Sequence, residues 1–150
     1  MFPRFSHEFF MNQALRLAQQ AADQGEVPVG ALVVTERGQI IGKGYNQTER
    51  LGDVTAHAEM LALTAATQTL GGKYLTDCTL YVTLEPCIMC AGALAWAQLD
   101  RLVFGASEPK RGFTRFQPSL LHPKTQIVSG ILDREAEQLL KSFFKEKRSK

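Results

Sequence analysis

The sequence predicts an α/β fold. Strand-like and helix-like segments alternate along the chain after an opening hairpin, which favours helices layered on a sheet. Its 150 residues, 45% hydrophobic and 21% charged, suit a single domain spanning 1–150 with a real core. No apolar run reaches the ~20 residues of a membrane span, and no secretory signal is visible. We therefore expect a cytoplasmic protein without a membrane partner.

A helix and a hairpin are predicted first. Residues 6–24 carry one apolar stripe at helical spacing, with Ser6 as a possible N-cap and Gly25 at the end. The segments 29–35 and 40–46 flank a glycine-containing turn and read as paired strands.

The second half continues the alternation. Residues 56–70 are apolar nearly all round, which suits a helix packed on a sheet. The remaining predicted elements are a polar loop at 50–55, a strand at 79–84, a helix at 87–97, strands at 101–104 and 127–129 around a loop at 106–124, and a last helix capped by Asp133.

Two short segments at predicted helix starts carry the reactive residues, namely 57–59 and 86–90. Cys87 and Cys90 are three positions apart, so both sulfurs project from one helix face. The first turn of a helix favours thiolate over thiol. His57 adds a nitrogen ligand from the other helix start. The sequence therefore predicts one Zn²⁺ per chain, bound by these three side chains.

Three protein ligands leave one coordination position open. An open position is typical of catalytic zinc, where water binds with its pKa lowered to about 7. Glu59 lies about 200° around a helix from His57, so we expect a catalytic proton carrier and not a ligand. The combined pattern His-x-Glu and Pro-Cys-x-x-Cys is the signature of zinc deaminases.

Two other interpretations of the cysteine pair are weaker. A structural zinc site would need His122 or His7 as fourth ligand, and a domain with this much core does not depend on a zinc staple. A thiol redox pair would leave His57 and Glu59 without a role. The third cysteine, Cys78, reads as a small buried hydrophobe.

The chain resembles the bacterial tRNA-specific adenosine deaminases of the cytidine/deoxycytidylate deaminase superfamily. The matching stretches are 27–31, 55–59, 80–93, 101–106 and 130–132. The resemblance implies a three-layer α/β/α cytidine-deaminase-like fold with a five-stranded mixed sheet, and a homodimer with active sites near the interface. It also implies hydrolytic deamination of adenosine to inosine at the wobble position of tRNA anticodon loops.

The resemblance implies substrate-binding roles at matching positions. Asn46 corresponds to an asparagine that hydrogen-bonds the flipped nucleotide. Val29 and Leu84 correspond to walls of the base pocket. Glu108 corresponds to an acidic residue that meets the RNA sugar beside the target base.

Basic residues are the predicted contacts to RNA phosphates. Lys110, Arg111 and Arg115 crowd one loop, where the Gly-x-x-Gly of the family lacks its second glycine. A second basic cluster lies at the end of the chain: Lys141, Lys145, Lys147, Arg148 and Lys150. A deaminase of a free base such as guanine would share the zinc motif without needing these charges, and it remains the alternative.

Overall fold

The computed structural model describes residues 6–116 and 118–148, so Lys150 lies outside the described residues. In chain order the elements are α1 (His7–Asp23), β1 (Gly30–Thr35), β2 (Ile40–Tyr45), α2 (Thr48–Leu51), α3 (Ala58–Leu70), β3 (Cys78–Leu84), α4 (Ile88–Trp96), β4 (Arg101–Ala106), a 3-10 turn (Phe113–Arg115), β5 (Gln126–Val128) and α5 (Asp133–Arg148). None of the helices in these ranges is long and apolar enough to cross a bilayer.

The five strands form one mixed sheet in the order β2-β1-β3-β4-β5. The β1–β2 hairpin and the β1–β3 pair are antiparallel, whereas β3–β4 and β4–β5 are parallel. The parallel half requires crossovers, and the connections through α4 and through the loop after β4 provide them. The mixed five-stranded sheet expected from the resemblance is confirmed.

Helices cover both faces of this sheet. On one face, Phe10 and Met11 of α1 pack against Leu32, Tyr81 and Val103 of the three central strands, and α5 packs beside α1 against β4. On the other face, alternate strand residues share an apolar cluster with α3 and α4. The alternation of side chains along a strand explains why both faces are apolar.

Two glycines of β2 allow α3 to lie close to the sheet. A Cβ atom at Gly44 would overlap the carbonyl oxygen of Ala58, and one at Gly42 would overlap that of Ala62. Both obstacles are helix backbone, so a side chain here would push α3 away, at a cost of about 1–3 kcal/mol. The close approach fixes the start of α3, where His57 and Glu59 lie.

Several predicted boundaries shift in the structure. Ser6 caps α1 as predicted, accepting a hydrogen bond from the Phe9 N–H at 3.1 Å. Residues 56 and 57 precede α3, because His57 is extended. The last helix, α5, begins at Asp133 as predicted, and the Asp133 carboxylate accepts a hydrogen bond from the Arg134 N–H at 2.9 Å. The polar segment 50–55 was predicted as a loop, but its first residues belong to α2.

Candidate metal centre and substrate pocket

Two helix starts bring the three predicted zinc ligands together. His57 and Cys87 are the N-caps of α3 and α4, both in extended conformation, and Cys90 lies in the first turn of α4. The His57 Nδ1 atom is 3.7 Å from the Cys87 Sγ and 3.5 Å from the Cys90 Sγ. Tetrahedral zinc bonded to one nitrogen and one sulfur separates them by about 3.6 Å. The spacing therefore fits zinc.

The protonation of the two thiols also fits a divalent cation. A hydrogen bond from Cys90, and a further one with His57, lower the pKa of the Cys87 thiol to about 3 against the opposing effect of burial. The same bond, together with burial and the nearby Glu59, raises the pKa of Cys90. These opposite shifts favour a Cys87 thiolate that accepts a hydrogen bond from the Cys90 thiol. A metal cation replaces the proton of that thiol and allows both sulfurs to be thiolates.

Glu59 lies beside the ligands without joining them. Among the described residues, the cluster of potential ligand atoms comprises His57, Cys87 and Cys90, all within 4.8 Å of one another. Glu59 is only 5% exposed, and burial raises the pKa of its carboxyl to about 7. A carboxyl with this pKa accepts and releases protons readily near neutral pH.

The structural-zinc alternative fails on position. His7 Nδ1 lies 2.8 Å from the Tyr81 hydroxyl, on the α1 side of the sheet. The Nδ1 atom of His122 accepts a hydrogen bond from the Lys124 N–H in the loop before β5. Neither histidine belongs to the ligand cluster.

A cavity of about 530 Å³ opens beside His57, Glu59 and Cys87. This volume lies within the range of ordinary small-molecule sites. Its remaining lining residues are Val27, Val29, Asn46, Thr48, Leu84, Glu85, Ser107, Glu108, Pro109, Arg111, Leu140 and Phe144.

Four of the residues expected at the substrate lie around this cavity. Val29 and Leu84 supply apolar wall, and Asn46 lies where β2 ends, 8% exposed. The Asn46 N–H donates to the Val29 carbonyl at 3.1 Å. Glu108 lines the part of the cavity formed by the loop after β4, which we call its mouth. The Glu108 carboxylate also accepts hydrogen bonds from the N–H groups of Lys110 and Arg111.

The three basic loop residues occupy different positions. Arg111 lines the cavity, whereas Lys110 and Arg115 are exposed outside it. The Arg115 guanidinium donates to the Pro109 carbonyl, across its own loop. Arg115 stands at the position of the missing second glycine. Its side chain thus makes a hydrogen bond within the loop in addition to carrying a charge.

Sequence reasoning missed the contribution of α5 and of Glu85. Leu140 and Phe144 are one helical turn apart and line the cavity from α5. In the sequence they belong to an apolar stripe at helical spacing, but nothing in that stripe indicates which surface it covers. Glu85 directly precedes the Pro-Cys-x-x-Cys pattern, and this position was the one signal that the sequence offered. Its burial, which the structure shows, means that the carboxylate requires hydrogen-bond partners.

The comparisons with known proteins agree with this geometry. The family described as the cytidine and deoxycytidylate deaminase zinc-binding region matches residues 5–106. The tRNA-specific adenosine deaminase of Aquifex aeolicus is 45% identical over 147 residues, 95% of this chain and 96% of that protein. Two similar tRNA(Ile)-lysidine synthases of Deinococcus species are longer, and the chain spans only 24% and 27% of their length.

Solved structures show the same relationship. One, from a study of A-to-I editing by tRNA:A34 deaminases at the wobble position of transfer RNA, superposes with a TM-score of 0.82 and 40% identity, covering 87% of this chain and 98% of that chain. A guanine deaminase from Nitrosomonas europaea gives 0.77 and 27%, covering 91% and 83%. The chain therefore belongs to the cytidine and deoxycytidylate deaminase family, in the group that contains the tRNA-specific adenosine deaminases.

Proposed function

We propose that this protein converts adenosine to inosine at the wobble position of tRNA anticodon loops, by zinc-dependent hydrolytic deamination. One observation carries the proposal. Two of the ligands, His57 and Cys87, line one part of a cavity together with the buried Glu59, and this part is its floor. Another part, its mouth, is lined by Glu108 and Arg111 of the basic loop and by two apolar residues of α5. The near full-length similarity to a tRNA-specific adenosine deaminase supports the choice of substrate.

In the proposed reaction the chain's own residues bind the base and move protons. A zinc ion held by His57, Cys87 and Cys90 supplies a Lewis acid, which lowers the pKa of water from 15.7 to about 7. The Glu59 carboxylate accepts the proton of the water that attacks C6 of adenine. It passes that proton to the ring nitrogen. It then accepts the proton of the new C6 hydroxyl group and delivers it to the amino nitrogen, which leaves as ammonia as the C6–N bond breaks and the C6 carbonyl forms.

The cavity walls would hold the base in place for this attack. Val29 and Leu84 would flank the flipped base and exclude water from its faces. The Asn46 side-chain amide would hydrogen-bond the nucleotide, since an amide offers both a donor and an acceptor. Glu108 would meet the ribose beside the target base.

Cations around the mouth would neutralise phosphates on either side of the target nucleotide. Lys110, Arg111 and Arg115 belong to the loop after β4. The helix α5, which lines the cavity with Leu140 and Phe144, carries three further cations in its last turn: Lys145, Lys147 and Arg148. An extended RNA loop needs such contacts, whereas a free base does not.

Nucleoside analysis tests the proposal against the alternative. The protein should form inosine at the wobble position of an anticodon stem-loop RNA far faster than it deaminates free adenosine, adenine or guanine. Added salt should lower the rate at sub-saturating RNA steeply, because phosphate contacts release counterions. Efficient, salt-independent turnover of guanine without inosine in RNA would instead establish a free-base deaminase.

We further propose a homodimer formed through α4. Ile88, Gly92 and Trp96 lie on one face of this helix, with Ile88 52% and Trp96 85% exposed. The helix carries no charged residue, so two copies can pack this face together without burying charge. Because α4 begins beside Cys87, the interface would lie near both active sites.

Sedimentation equilibrium tests the dimer. Trp96→Glu should give a monomer, because a buried carboxylate at the interface lacks a partner. Phe9→Glu on α1, across the sheet, is the matched control and should leave the assembly unchanged. A wild-type monomer, or a dimeric Trp96→Glu variant, would contradict this interface.

A cytoplasmic location is proposed as well, since thiolate ligands suit a reducing compartment.

A further inference from the structure

Glu85 is a buried carboxylate that the proposed chemistry does not use. It follows directly on β3 and is 4% exposed. Its side chain accepts three hydrogen bonds, all from the loop after β4. The Glu108 N–H donates to Oε1 at 3.0 Å, and the Thr114 N–H and hydroxyl donate to Oε2 at 3.0 and 2.6 Å. Both carboxylate oxygens are therefore turned to this loop, although the residue borders the cavity.

The backbone around Glu85 binds the same loop. Cys87 pairs with Gly112 in an antiparallel bridge, and the Phe113 N–H donates to the Pro86 carbonyl at 3.0 Å. Gly112 lies so close that a Cβ atom there would overlap the Glu85 carboxylate. The segment 85–87 thus contains the predicted zinc ligand Cys87, and all three of its residues contact the loop.

The attached loop has little structure of its own. Between β4 and β5 its one helical element among the described residues is the single 3-10 turn 113–115. Two of its residues that are six positions apart, Glu108 and Thr114, donate hydrogen bonds to one carboxylate. Charge-assisted hydrogen bonds of this kind are the strong ones. The position of Glu108 and Arg111 at the cavity mouth consequently depends on Glu85.

We propose that Glu85 is a positioning residue that holds the loop 108–114 in the shape that binds RNA around the target nucleotide, and thereby favours adenosine in RNA over free adenosine. The inference rests on the proposed function. A free nucleoside contacts the floor of the cavity, where His57 and Glu59 lie at the start of α3. The flanking sugars and phosphates of an RNA meet the mouth, where the loop lies.

Glutamine cannot replace this carboxylate. It offers one acceptor oxygen, and its NH₂ group would face either the Glu108 N–H or the two Thr114 donors. At least one donor that now meets the buried carboxylate would lose its partner. Glu85→Gln therefore changes the hydrogen bonding of the loop at nearly constant volume. Thr114→Val is a milder change at an exposed position, since it removes only the hydroxyl bond, and Thr114→Ser restores it.

Steady-state kinetics on an anticodon stem-loop RNA test the proposal, with zinc content and thermal unfolding measured in parallel. Glu85→Gln should raise KM for the RNA about tenfold or more, with kcat, zinc content and the slow turnover of free adenosine within threefold of wild type. Thr114→Val should raise KM several-fold, and Thr114→Ser should match wild type. Glu36→Gln, in the exposed β1–β2 turn, is the control for loss of a carboxylate.

Limited trypsin digestion reads the loop directly. Cleavage after Lys110 and Arg111 should accelerate in Glu85→Gln and in Thr114→Val, and not in Glu36→Gln. If Glu85→Gln does not fold, the Thr114 pair gives the same test. The proposal is overturned if kcat falls at constant KM, if zinc is lost, or if both loop variants behave like Glu36→Gln. Absence of inosine formation by the wild type would overturn the proposed function itself.

Discussion

The floor of the cavity and its mouth are held in place by different kinds of interaction. The floor consists of the starts of α3 and α4, and the backbone packing of both helices on the sheet fixes where His57, Glu59 and Cys90 lie. At the mouth, the long loop after β4 is fixed by hydrogen bonds that its N–H groups donate to the carboxylates of Glu85 and Glu108. From this difference we expect the proposed chemical step to rely on rigid elements, and the proposed substrate selection to rely on a few side chains that substitution can alter separately.

The largest effect is expected at the floor. Cys90→Ala removes a fully buried ligand, so zinc and deamination should be lost together. Metal analysis of the purified variant measures the loss of zinc, and inosine formation in RNA measures the loss of deamination. Cys78→Ala, which removes a buried cysteine outside the ligand cluster, should keep both. A Cys90→Ala protein with one zinc and normal activity would contradict the proposed ligand set.

A second change at the floor separates proton transfer from metal binding. Glu59→Gln keeps the size of the side chain but cannot accept the proton of the attacking water. Its kcat should fall by about 10²–10⁴-fold with zinc retained. Single-turnover rates and metal content measured on one preparation give the result. Loss of zinc would identify Glu59 as a ligand and refute its role as proton carrier.

The smallest effect is expected at the mouth. Exchanging Lys110 and Arg111 together for Ala should weaken RNA binding at unchanged zinc content. The slope of log K against log salt should become shallower by roughly 1.4, if each residue contacts one phosphate of single-stranded RNA. Binding titrations at several salt concentrations measure it. The exposed Lys73, changed to Ala, is the control. An unchanged slope would place the phosphate contacts elsewhere.

Residue types and short spacings by themselves determined the floor of this site. The short spacings predicted that Cys87 and Cys90 would face one site with Glu59 beside it, although helical geometry applies only to Cys90 and Glu59. The alternation of segments likewise predicted an α/β fold, and the resemblance supplied the strand number. The starts of α3 and α4 were placed one or two residues early, since His57 and Cys87 are extended caps and not helical residues.

Only the tertiary structure decided how the mouth is built. Glu85 and Thr114 are 29 positions apart, and no sequence pattern links them. The approach of Leu140 and Phe144 to the cavity depends on how α5 packs across the sheet. An apolar stripe on a helix predicts that one face is buried, but it does not predict which part of the protein that face packs against. Contacts between distant segments follow from packing the whole chain, which is why the loop geometry that would select the substrate was not predictable from the sequence.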